Sequence, residues 1–227
     1  MQKTSAKKFF FRWKIVRYDC ILPENERKYI MSVKRIAEIR RETRETCIEC
    51  TLNLDGSGIA KIDTPIPFVN HMLELFTKHG FFDLTVKAKG DVEVDYHHTM
   101  EDLGLVLGQA IAEAAGDKQG IRRYGSFLLP MDEALARVVL DLSGRPYLVY
   151  EVTLPAPMIK DVDARLFREF FQALVNKSGL NLHIDLIRAG EVHHAFEAVF
   201  KGFARALDEA TSIDPRIQGV MSTKGVL

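Results

Sequence analysis

The strongest constraint on this chain is an internal repeat. Asp95-Tyr96-His97-His98-Thr99-Met100-Glu101-Asp102 returns as Glu191-Val192-His193-His194-Ala195-Phe196-Glu197-Ala198, so acid-x-His-His-x-x-Glu occurs twice, ninety-six positions apart. Each copy opens an apolar-periodic run: Leu103, Leu105 to Leu107 and Ile111 after the first, Val199, Phe200, Phe203 and Leu207 after the second. Both histidine pairs are therefore expected at helix N-termini. Residues four apart share a helix face, so His97 with Glu101, and His193 with Glu197, can each grip one ion from one side. Adjacent residues do not share a face, and His98 and His194 must point elsewhere. A single histidine at a helix start is ordinarily a capping or solvated residue. Two tandem pairs with identically spaced glutamates call for a metal, with one imidazole of each pair for each of two ions.

The remaining sequence sets the frame. A chain of 227 residues has ample material for a core. Thirty-one basic residues balance 31 acidic ones, which leaves no global footprint for nucleic acid or a membrane surface. Any phosphate recognition must be local. Three cysteines, Cys20, Cys47 and Cys50, are too few for a secreted disulfide framework and fit a reducing, cytoplasmic compartment. Cys47-Ile48-Glu49-Cys50 matches C-x-x-C, but Ile48, Cys50, Leu52 and Leu54 alternate onto one strand face and put Cys47 on the other. No apolar run reaches the ~18 residues of a membrane span.

Residues 1 to 33, basic and aromatic at the start and polar after Pro23, look unlike the rest and read as an extension outside the core, with Met31 as an alternative start. Residues 34 to 120 read as one half. Ala37 to Thr46 alternates weakly and Ile48 to Leu54 strongly, Asp55-Gly56-Ser57-Gly58 reads as a hairpin turn into Ile59 to Ile62, and a helix is expected over Pro67 to Lys78. Phe81 to Ala88 and Val92 to Asp95 read as strands before the first His-His helix, which should end at Gly116. Residues 121 to 212 repeat the order: strands within Ser126 to Leu142, a turn at Ser143 to Pro146 into Tyr147 to Thr153, a helix over Val162 to Asn176, a strand over Asn181 to Ile187, and the second His-His helix to about Ala210. Residues 213 to 227 form a tail. The economical architecture is α+β, a tandem duplication of a β-β-α-β-α half-domain with each sheet backed by helices.

The duplication sharpens the metal reading. His71 lies on the helix before the first pair, and the matching place in the second half falls at Glu169. Two similar ligand sets follow: His71, His98, His193 and Glu197 for one ion, and His97, Glu101, Glu169 and His194 for the other. Nitrogen and carboxylate donors in this mixture suit zinc, manganese or iron.

Several pieces of the chain together resemble the imidazoleglycerol-phosphate dehydratase family. They are Arg44-Glu45-Thr46, Phe68-Val69-Asn70-His71-Met72-Leu73, both His-His motifs, Pro130-Met131-Asp132-Glu133-Ala134, Leu182-His183-Ile184 and Ser222-Thr223-Lys224-Gly225, and the resemblance runs from about Val33 to Leu227. It implies a fold like domain 2 of ribosomal protein S5, present twice. It also implies dehydration of imidazole glycerol phosphate to imidazole acetol phosphate in histidine biosynthesis, with an imidazolate intermediate held by two divalent ions, most readily Mn2+, and a homo-oligomer of 24 subunits. Carried over residue by residue, Glu45 becomes the acid/base and itself a substrate contact. His71, His97, His193, Arg123, Arg145, Lys201, Ser222, Thr223 and Lys224 become substrate-binding, the last six through phosphate. The chain departs from the family pattern at Glu169, where His often stands, and at Met100, where Asn is expected. From the residues alone, a dinuclear metallohydrolase and a metal-assembled protein without activity remain open alternatives.

Overall fold

The computed structural model describes residues 34–227. The reading of residues 1 to 33 lies outside the described residues. In the first half, strands β1 (Ile36–Glu42), β2 (Thr46–Asn53), β3 (Ala60–Asp63) and β4 (Asp83–Gly90) form one sheet in the order β1-β2-β4-β3, with helices α1 (Pro67–Gly80) and α2 (His97–Ala115). The second half repeats this with β5 (Tyr124–Met131), β6 (Ala134–Asp141), β7 (Tyr147–Glu151) and β10 (Asn181–Arg188) in the order β5-β6-β10-β7, and helices α3 (Leu166–Ser178) and α4 (Val192–Thr211). The expected duplicated half-domain is thus observed, each half carrying one further short edge strand that runs parallel to its neighbour, β3 beside β4 and β7 beside β10.

Alternation drives the sheets inward. Ile48, Cys50 and Leu52 of β2 and Leu84, Val86 and Ala88 of β4 are buried, as are Ala136, Val138 and Leu140 of β6. The two cysteine thiols therefore lie on opposite faces of β2; both are free, and burial pushes the Cys50 thiol up to about 12. Helix α2 packs on β1 and β2, α4 on β5 and β6, and the halves meet through α2 against α3 and α1 against α4. Eight phenylalanines are fully buried in this shared core, including Phe76, Phe167, Phe170, Phe196 and Phe203.

The structure corrects three element readings. Asp55 to Gly58 is no hairpin: the Ser57 and Ile59 amides donate to Asp83 Oδ1 (2.8 and 3.0 Å), the segment crosses the end of β4, and β3 lands on the far edge of the sheet. Val92 to Asp95 is a turn, because the β2–β4 ladder ends at the Thr46–Gly90 pair, and the Val94 amide then donates to the Asp91 carbonyl (2.8 Å). Helix α3 begins at Leu166 instead of Val162, which pairs with Ile159 in a miniature hairpin of β8 (Met158–Ile159) and β9 (Val162–Asp163). Glu169 nevertheless remains in the first turn of α3.

Candidate active site

The histidine pairs stand where the repeat puts them. His97 opens α2, and its amide donates to Asp95 Oδ1 (2.7 Å); in α4 the Glu191 carboxylate caps the helix by accepting the His194 amide (3.1 Å). Within each pair the two rings diverge nearly at right angles, by 84° between His97 and His98 and 83° between His193 and His194. The i, i+4 partners share a face, with Nε2 of His97 3.8 Å from Glu101 Oε2 and Nε2 of His193 3.1 Å from Glu197 Oε1.

One convergence point joins the halves. His71 from α1 brings its Nε2 to 2.9 Å from Glu197 Oε1, the same oxygen that faces His193. Phe68, one turn before His71, packs edge-on against the His193 ring at 5.3 Å and fixes its tilt. Lys201, one turn after Glu197, donates to the other carboxylate oxygen at 2.6 Å. Burial would raise the Glu197 carboxyl, but Lys201, His71 and His193 hold it down to about 2, so it is a carboxylate at neutral pH. Two imidazole nitrogens and one carboxylate oxygen lie within 4.8 Å of one another here. That donor set fits a divalent cation, which would take over the positive charge that Lys201 now supplies to Glu197.

The other proposed ligands sit in separate places on the chain. His98 turns from the His71 cluster and sets Nδ1 against Asp91 Oδ2 (3.0 Å), a contact that raises its basicity. Its Nε2 is 4.0 Å from Glu45 Oε1, on the β1–β2 turn. His194 sets Nδ1 against Glu133 Oε2 (3.0 Å), which raises its basicity too, and with Asp132 and Glu133 forms a second group of close donors. Glu133 is held down to about 2, first by the Glu191 amide and then by its own backbone and His194. Glu169 is half-buried beside Arg168, at 3.7 Å. Asp102, directly after Glu101, is buried between Thr46 and Arg41, with Arg41 Nε 2.9 Å away, and serves to anchor α2 to the sheet.

Five of the six phosphate candidates line one cavity of about 840 Å³: Arg123, Arg145, Ser222, Thr223 and Lys224. Among the described residues no acidic side chain lines it. Arg123 is buried in the left-handed backbone region (φ 72°), and its guanidinium spans Asp141 (2.6 and 3.0 Å) and the Met221 carbonyl (2.7 Å), which pins the tail to β6. Ser222 to Gly225 form a tight turn closed by the Gly225 amide on the Ser222 carbonyl (3.1 Å). Lys201, the sixth, lies apart from the cavity at Glu197. Sequence reasoning passed over Asp91, hidden in a segment whose valines alternate like a strand, and Glu133, whose partner His194 is 61 residues away.

Comparison with known proteins then gives a family. The sequence model described as imidazoleglycerol-phosphate dehydratase matches residues 64–207. A protein of that name from Geobacter metallireducens is 58% identical over 195 residues, which span 86% of this chain and 100% of the relative. One from Lachnoclostridium phytofermentans is 57% identical over the same shares. The crystal structure of the Staphylococcus aureus enzyme of that name superimposes with a TM-score of 0.72 at 42% identity, covering 79% of this chain and 99% of that one. A Pyrococcus furiosus structure, described as a complex with (S)-C348, gives a TM-score of 0.72 at 33% identity over 83% of this chain and 100% of its own.

Proposed function

The chain belongs to the imidazoleglycerol-phosphate dehydratase family, a hydro-lyase of histidine biosynthesis, and from that premise we propose how its own residues perform the reaction. His71, His98, His193 and Glu197 would hold one divalent ion, and His97, Glu101, Glu169 and His194 a second, with Mn2+ the metal proposed. When bound, they supply Lewis acidity to the imidazole ring of the substrate. The observation that carries this reading is the meeting of His71, His193 and Glu197 from both halves around one point, with a carboxylate kept ionised.

The remaining residues divide between proton transfer and anchoring. Glu45, exposed on its turn and 4.0 Å from His98, is the acid/base that moves a proton between the substrate carbon beside the ring and the departing hydroxyl. Arg145, Ser222, Thr223 and Lys224 hold the phosphate in the tail cavity, with Arg123 keeping the tail in place. Lys201, apart from that cavity in one chain, would be a further phosphate contact, its ammonium held in place by Glu197. Residues 34 to 120 and 121 to 212 act as two half-domain repeats and 213 to 227 as the phosphate-binding tail. The ligands that one chain leaves in separate places are gathered by neighbouring subunits of a cytoplasmic 24-subunit particle.

Reconstituting the protein with Mn2+ and supplying imidazole glycerol phosphate should give imidazole acetol phosphate. Hydrolysis of a phosphoester in its place, or no turnover with metal bound, would refute the assignment.

A further inference from the structure

The two halves place a carboxylate at the same turn and use it differently. The turn between β1 and β2 follows the Glu42–Cys47 pair, and that between β5 and β6 the Met131–Ala134 pair, so Glu45 and Glu133 occupy equivalent turns. Each approaches the second histidine of its own half. Glu133 meets His194 at Nδ1 (3.0 Å), whereas Glu45 lies 4.0 Å from Nε2 of His98, because the Nδ1 side of that ring is taken by Asp91 (3.0 Å).

Both Nδ1 partners are fixed from behind. Glu133 Oε1 accepts the Glu191 amide (2.7 Å), and Gly190 leaves room for it: a Cβ there would come within 2.4 Å of Glu133 Cγ. Asp91 donates its amide to the Glu45 carbonyl (3.1 Å), accepts the Val94 amide at its own carbonyl (2.8 Å), and has its second carboxylate oxygen buried without a partner. An ionised carboxylate only accepts, so the nitrogen it faces carries the hydrogen; a neutral imidazole has one N–H, and Nε2 is left with its lone pair.

We infer that Asp91 and Glu133 are positioning residues that hold His98 and His194 by Nδ1 and present Nε2 to an ion, and that Asp91, by doing this work in the first half, frees Glu45 for proton transfer. The inference rests on the metal-binding reading above. Among the described residues His71 and His193 show no carboxylate at Nδ1: their Nε2 atoms are the ones that face Glu197.

The test is a Mn2+ titration of the full chain followed by the electron paramagnetic resonance of free Mn2+, for the wild type, Asp91→Asn and Glu133→Gln. Each variant keeps the side-chain shape but weakens the acceptor, and each should lose roughly 10–100-fold in Mn2+ affinity. The number of ions bound at saturation and the melting curve of the metal-free protein should stay as in the wild type, and excess Mn2+ should restore kcat. Gly190→Ala, which displaces Glu133 without changing it, should give the same loss. Wild-type affinity in both carboxylate variants would overturn the inference. Loss of a whole ion per chain would overturn it too, by making these groups ligands themselves. A wild-type chain that binds no Mn2+ would instead refute the metal reading, and the inference with it.

Discussion

Glu45 and Lys224 are both exposed, and in the proposed reaction they are expected to fail in opposite ways. Glu45→Gln keeps the shape but removes the base, so kcat should fall by roughly 10²–10⁴ with little change in KM. Lys224→Ala removes a contact made equally before and during the reaction, so steady-state kinetics should show a raised KM and a nearly unchanged kcat. If Glu45→Gln turns over normally, the burial of Asp102 against Arg41 leaves Asp132, beside His194, as the next carboxylate to vary. Asp214 gives a prediction about stability. Its carboxylate accepts from the Arg216 side chain (2.8 Å) and backbone amide (3.0 Å), and these contacts hold its carboxyl well below the ordinary range. The folded chain therefore resists protonation that the unfolded chain accepts near its ordinary value of about 3.9, so the contribution is complete above that pH and fades as the pH falls through the folded value. Asp214→Asn should lower the melting temperature at pH 7, and melting curves taken at successively lower pH should show the gap to wild type closing below about 4.

Between elements, the halves meet where α2, which carries His97, His98 and Glu101, crosses close to α3, which carries Glu169. Two glycines on α2 set that distance. A Cβ at Gly104 would lie 2.3 Å from the Phe170 carbonyl oxygen, and one at Gly108 equally close to that of Leu174. Alanine gains about 1 kcal/mol in helix propensity, but overpacking costs about 1–3 kcal/mol, and the obstacle is backbone that cannot rotate aside. Overpacking should win: Gly104→Ala should melt several degrees lower, and an unchanged or raised melting temperature would disprove the close-crossing account. The G-x-x-x-G spacing at 104 and 108 was available in the sequence as a sign of this contact. Other elements could not be placed by pattern. Val92 and Val94 alternate as in a strand, yet the strand stops at Gly90, where its partner β2 starts at Thr46; only pairing decides where a ladder ends. The glycines at 56 and 58 serve equally for a hairpin or for a crossing, and the Asp83 carboxylate that accepts the crossing amides is more than twenty residues away.

At the scale of the whole molecule, three of the four ligands of one proposed set meet within the chain, while His98 and His194 each meet a carboxylate elsewhere. If subunits complete both sites, chelation should shrink the particle as well as abolish turnover, and light scattering before and after adding back Mn2+ reads this directly; an unchanged size would separate assembly from metal. A chain begun at Met31 should fold, assemble and turn over normally, since relatives matched over 100% of their length account for 86% of this one; loss of activity would give residues 1 to 33 a role. The repeated His-His-x-x-Glu was enough to establish two like halves, the helix starts, the diverging rings and the i, i+4 grips, because a helix converts spacing into direction by a fixed rotation per residue. The grouping of His71 with His193 and Glu197 was an expectation of the duplication, but the departure of His98 from that group to Asp91, the holding of His194 by Glu133, and the sorting of Lys201 from the tail cavity were decided by the tertiary structure. These contacts join separate elements, and their geometry follows from how helices cross and ladders end, quantities set by packing across the whole core and by no local stretch of sequence.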